Sequence, residues 1–101
     1  MNIRIGKYSF EGPLDDPSDL RNESGVYAIL GRRTIHHLWT PVDIGESEDV
    51  KKRVETHDRK YCWKTVGYAY LSYVAYYCNA TDRSIIATEL RDFYDPPCRD
   101  R

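Results

Sequence analysis

The segment from Asp43 to His57 constrains the fold more than any other. Asp43-Ile44-Gly45 reads as a strand end and a glycine turn, Ser47 as an N-cap, and the residues after it as a helix. Glu48 and Asp49 fall in its first turn, where the helix dipole favours acids. Val50, Arg53, Val54 and His57 follow the i, i+3, i+4, i+7 spacing of one helical face. A helix normally keeps such a face apolar and turns its charges to water. A guanidinium and an imidazole beside two valines are unfavourable unless they are paired or have something to bind.

A second segment, Asp82 to Tyr94, makes a similar statement. Ile85, Ile86, Leu90 and Phe93 define its apolar side, and Glu89 lies inside that stripe, while Arg91 and Asp92 project away from it. A carboxylate in that place is paired, hydrogen-bonded, protonated or bound to a metal. Thr81 or Asp82 would cap this helix, and Asp95-Pro96-Pro97 would stop it, because proline cannot continue it.

The strands read from period-two patterning. Gly25 to Leu30 places Val26, Ala28 and Leu30 on one face and Tyr27 and Ile29 on the other. Leu38 to Ile44 is a second strand, and Tyr68 to Cys78 a third, rich in tyrosine. Alternation directs Asp43 away from both Val42 and Ile44. His57 to Thr65 reads as a polar, aromatic connection. Residues 1–24 are compatible with a short strand at Lys7-Tyr8-Ser9-Phe10 and a helical turn at Ser18-Asp19-Leu20-Arg21. The order strand, strand, helix, strand, helix predicts one α+β unit over residues 1–101.

Composition excludes some functions. No apolar run approaches the roughly 20 residues that span a bilayer, and the amino end lacks a signal-type apolar core, so a cytoplasmic location is the default expectation. Cys62, Cys78 and Cys98 form an odd, widely spaced set, expected to be free thiols and neither a disulfide framework nor metal ligands. His36-His37 reads as a loop feature. The net charge of −1 gives no global attraction to nucleic acid. Lys51, Lys52, Arg53, Arg59, Lys60 and Lys64 are nonetheless clustered, either as a phosphate-facing patch or as an ordinary solvated helix face.

These residues, in this order, resemble the GIY-YIG nuclease superfamily over roughly Gly25 to Arg99. Gly25-Val26-Tyr27 is similar to the first tripeptide of the family, and Asp43-Ile44-Gly45 to the second, with aspartate in place of tyrosine. The block from Gly45 through Ser47 to Arg53 and His57, the later Glu89, and Pro96-Pro97-Cys98-Arg99 complete the resemblance, with Arg99 where asparagine is common. It implies a small three-stranded antiparallel sheet flanked by helices, with residues 1–24 as an N-terminal extension. It also implies a metal-dependent endonuclease acting on DNA, with Glu89 holding Mg²⁺ (or Mn²⁺), a hard cation that prefers oxygen. Arg53 would neutralise charge at the transition state. Tyr27 would orient or deprotonate the attacking water, which needs a depressed phenol pKa, and His57 would hydrogen-bond it or accept its proton.

Asp43 would bind metal-coordinated water, act as a base, or pair with Arg53. Lys51, Lys52, Arg59, Lys60 and Lys64 would face the nucleic acid. Each residue also has a structural alternative: a half-buried strand tyrosine for Tyr27, an Arg53–Glu89 ion pair, a helix-terminal histidine for His57. The alternative function is therefore a catalytically degenerate nucleic-acid-binding or protein-interaction module on the same fold. Substrate form and oligomeric state are left open.

Overall fold

The computed structural model describes residues 1–99. The chain opens with an antiparallel hairpin, β1 (Asn2–Ile5) and β2 (Tyr8–Leu14), turning at Gly6, whose φ of +60° suits a residue without a Cβ. A 3-10 turn at Pro17–Asp19 is capped by the Asp16 side chain. Then come β3 (Gly25–Arg32), β4 (Thr40–Ser47), α1 (Val50–Glu55), α2 (Lys60–Thr65), β5 (Tyr70–Tyr77) and α3 (Ala80–Tyr94). The class is α+β, with an antiparallel sheet in the order β1-β2-β5-β3-β4.

Among the described residues the sheet therefore has five strands where three were expected. Residues 1–24 are no mere extension. β2 pairs with the free edge of β5, Glu11 opposite Ala75 and Leu14 opposite Tyr73, and Ile5 and Phe10 join the core. Nothing local announces that pairing, because the partner strand lies some sixty residues away.

Two cores sit on opposite faces of the sheet. Val26, Ala28, Leu30, Ile44, Val74 and Phe10 pack against Ile86, Ala87 and Leu90 of α3. Tyr27, Ile29 and Val42 pack against Val50 and Val54 of α1, Trp63 of α2, and Leu20. The alternation expected for β3 is borne out. In β4 it is broken: Ile29 faces Asp43 while Leu30 faces Pro41, an irregularity that inserts Val42 as an extra residue. Val42 therefore turns to the same core as Tyr27, and only Ile44 lies opposite Asp43 as alternation requires.

Helix limits correct several expectations. Asp49, not Ser47, caps α1 through its carboxylate, and Ser47 instead accepts from the Asp49 amide. Asn79 caps α3, and Asp95 ends it in a left-handed conformation ahead of the prolines. The connection after His57 contains a helix of its own, α2. Cys62 and Cys98, expected to be free, form a disulfide, while Cys78 remains a thiol. The Cys98 amide donates to the Val42 carbonyl at 2.9 Å, so the returning chain crosses the second core and meets α2 there. Such a bond is commoner in oxidising compartments than in the cytosol. Among the described residues no helix is long and apolar enough to cross a membrane.

Candidate functional site

Tyr27 stands directly across from Gly45 in the β3–β4 ladder. A Cβ at position 45 would collide with the Tyr27 phenol, so the glycine after Ile44 is a cradle for that ring. The phenol oxygen lies 2.7 Å from Nε2 of His57, which is buried just beyond α1. The Arg59 backbone N–H donates to His57 Nδ1 at 2.9 Å. An imidazole nitrogen that accepts carries no proton, so the neutral ring bears its hydrogen on Nε2. His57 thus donates to the Tyr27 oxygen. Asp58 Oδ1 approaches Nδ1 at 3.4 Å but takes its hydrogen bond from Arg53 at 3.1 Å.

The electrostatics agree with that direction. Burial, and then the charge of Arg53, push the His57 pKa down to about 4. Burial, and then the nearby Asp43 charge, push the Tyr27 phenol up to about 12, against the opposing pull of Arg53 and Arg59. Activation of Tyr27 requires a depressed phenol pKa; the structure raises it, because burial outweighs the two guanidiniums. His57 supports Tyr27 by hydrogen bonding, with its accepting nitrogen turned the other way.

Asp43 is fully buried and saturated. The Arg59 fork grips it at 2.9 and 3.0 Å, and the Trp63 indole N–H donates to Oδ2 at 2.7 Å. Its partner is Arg59, where pairing with Arg53 was one of three expectations, and the Arg59 fork, expected to face nucleic acid, is engaged with this carboxylate. Arg53 sits at the rim, half-exposed, beside Asp58. Lys51, Lys52 and Lys64 remain on the surface of α1 and α2, Lys60 bonds the Glu55 carbonyl, and Tyr61 beside them is 79% exposed.

Glu89 lies elsewhere. The buried stripe of α3 is Ile86, Ala87 and Leu90, with Ile85 60% and Phe93 76% exposed, so Glu89 is on the open side and not inside an apolar face. Its Oε1 accepts from the Tyr8 hydroxyl of β2 at 2.9 Å. α3 crosses the sheet from β4, where Arg83 pairs with Glu46 at 2.7 Å, to the β1–β2 turn, where the Gly6 amide donates to Tyr94. Glu89 therefore sits on the α3 face toward β2, with β5 between β2 and Tyr27's strand. Tyr27, Asp43, His57 and Arg53 come together; Glu89 does not join them. Arg99 bonds Asp95 at 2.8 Å and the Arg91 carbonyl, closing the end of α3.

Sequence reasoning missed Trp63, Tyr8 and the Asp43–Arg59 pairing. A buried strand aspartate demands a cation, but sixteen residues of chain separate it from the one it finds. Among solved structures, the chain is similar to the GIY-YIG N-terminal endonuclease domain of UvrC from Thermotoga maritima. An asparagine-to-alanine point mutant of that domain, bound to its catalytic divalent cation, superposes with a TM-score of 0.59 at 17% identity, covering 84% of this chain and 91% of that one. A tyrosine-to-phenylalanine mutant, also cation-bound, gives 0.57 at 16% identity over the same shares. This chain has the GIY-YIG fold. No family model matches the sequence, and no curated protein does.

On this GIY-YIG fold a divalent cation beside Tyr27 would need oxygen donors turned toward the phenol. Asp43 has both oxygens engaged by Arg59 and Trp63, and neither His57 nitrogen offers a free lone pair. Among the described residues no group of three or more His, Cys, Asp or Glu gathers to hold a metal. The side chains around Tyr27 therefore do not fit a cation.

Proposed function

We propose that this chain is a nucleic-acid-binding domain on the GIY-YIG fold that grips a phosphodiester backbone without cutting it. One observation carries the reading: the carboxylate beside Tyr27 is neutralised by Arg59, and the carboxylate expected to hold a metal bonds Tyr8 on the other face. Phosphate contacts would come from Lys51, Lys52, Lys60 and Lys64, with Arg53 at the rim of Tyr27's site and Tyr61 as a stacking surface. Such binding is salt-dependent, losing about 0.9 in the log–log slope per phosphate contact on duplex DNA.

The test is fluorescence anisotropy with duplex and single-stranded DNA across a salt series, beside a plasmid-nicking assay in Mg²⁺ and Mn²⁺. The expected result is steep salt dependence, a slope reduced by roughly 2 in a Lys60→Ala/Lys64→Ala variant, and no nicking. Metal-dependent nicking that Glu89→Ala abolishes would overturn the non-catalytic reading. Absent or salt-independent binding would overturn the binding reading.

A metal-dependent endonuclease is the second reading. Tyr27, His57 and Arg53 do meet, and that observation favours it. In that case Glu89 would hold Mg²⁺ or Mn²⁺ largely through water, and α3 would have to bring it to Tyr27.

A further inference from the structure

The connection between β3 and β4, residues 33–39, borders a cleft of about 570 Å³ that the reading above does not use. Arg32, Arg33, His36, His37 and Tyr68 line it, with Leu38 among them, and among the described residues no carboxylate does. Among the described residues neither arginine has an ion-pair partner. The Arg32 guanidinium lies 4.1 Å over the Trp39 ring, and its Nη1 donates to the Ile35 carbonyl at 3.3 Å. Its Nε is buried and has no acceptor among the described residues. Arg32 as a whole is half-buried, and that one nitrogen is shut off from solvent while the rest of the fork reaches the surface. Two arginines without ion-pair partners at a concave surface favour an anion there.

The other wall is aromatic. Gly31 has no side chain, and a Cβ there would come within 2.6 Å of the Tyr68 ring, so the tyrosine lies against bare strand backbone. Leu38, 90% exposed, adds an apolar tip. Cations on one side and an aromatic surface on the other match the two halves of a nucleotide. An unstacked base can enter such a concave site, whereas a base within a duplex cannot. Arg32 is five residues along β3 from Tyr27, roughly 17 Å at about 3.3 Å per residue, so this is a separate site.

We propose that this cleft holds one nucleotide of a single strand, its phosphate against Arg32, Arg33 and the two histidines and its base against Tyr68. The inference rests on the nucleic-acid reading and extends its footprint to the far end of the β3–β4 hairpin. The test uses the full chain and a fluorescent oligothymidylate, with a duplex of equal length beside it. Arg33→Glu and Tyr68→Leu are each expected to weaken single-strand binding about tenfold while changing duplex binding much less. In the parent protein, amide NMR signals of residues 32–38 and Tyr68 are expected to shift on titration with a thymidine trinucleotide, a readout that survives if either variant fails to fold. Unchanged affinity in both folded variants, with Lys60→Ala/Lys64→Ala still weakening binding, would overturn this inference and leave the broader reading intact. Shifts confined to α1 and α2 would do the same. A parent protein that binds no strand at all would overturn both.

Discussion

Under α3 the sheet presents Val26, Ala28, Leu30, Ile44 and Val74 to Ile86, Ala87 and Leu90, and among the described residues no charged side chain is buried with them. Under α1 and α2 the same strands present Tyr27 and Asp43 to His57, Arg59 and Trp63. The first face needs only apolar volume, which packs without direction. The second face holds a carboxylate, a guanidinium, an imidazole and a phenol, and each must find a partner because an unmatched polar group in a low-dielectric interior is costly. Here they saturate one another. Groups that a catalytic site would aim at substrate are turned inward and become part of the framework.

The largest effect is expected at Asp43. Asp43→Ala would leave the Arg59 guanidinium and the Trp63 N–H without their acceptor, a loss of about 3–5 kcal/mol by urea unfolding. A loss as small as that of the exposed Glu89→Ala would show that the polar core is not a framework. Reduction of Cys62–Cys98, or Cys98→Ser, is expected to cost about 2–4 kcal/mol, read as a lower Tm under reducing conditions. Because the bond ties α2 to the crossing chain, amide exchange should rise first around α2 and not around α3.

Gly45→Ala forces a methyl into the Tyr27 ring and is expected to cost about 1–3 kcal/mol, with the His57 ring signals moving in the NMR spectrum. A fully stable variant with unmoved signals would contradict the cradle. The pH effect is smaller, about 1–2 kcal/mol. His57 titrates near 4 when folded and near its ordinary 6.5 when unfolded, so the unfolded chain binds the extra proton in between. Stability is then full above about 6.5 and falls as pH drops toward 4. His57→Gln should flatten that part of a Tm-versus-pH curve.

Much of this was legible in the sequence, and the divide is one of distance along the chain. The two faces of β3 follow from alternation, and the GIY-YIG tripeptides follow from Gly25, Tyr27 and Gly45 in order. The hairpin of residues 2–14 was missed because its partner β5 lies far away in sequence. The extra residue at Val42 cannot be read from alternation, since a bulge is the failure of alternation. Glu89 was misplaced because Ile85 and Phe93 suggested a stripe centred on it. The sheet accepts the side bearing small Ala87 instead. The Cys62–Cys98 bond and the Asp43–Arg59 pair are meetings of distant segments with no local signature.

¹⁵N–¹H NMR of the His57 ring near neutral pH decides whether the polar core is a saturated framework. The expected result is a neutral imidazole with its proton on Nε2, donating to a protonated Tyr27. A ring protonated on Nδ1 with a bare Nε2, or an imidazolium facing a phenolate, would contradict it and restore Tyr27 as a candidate base.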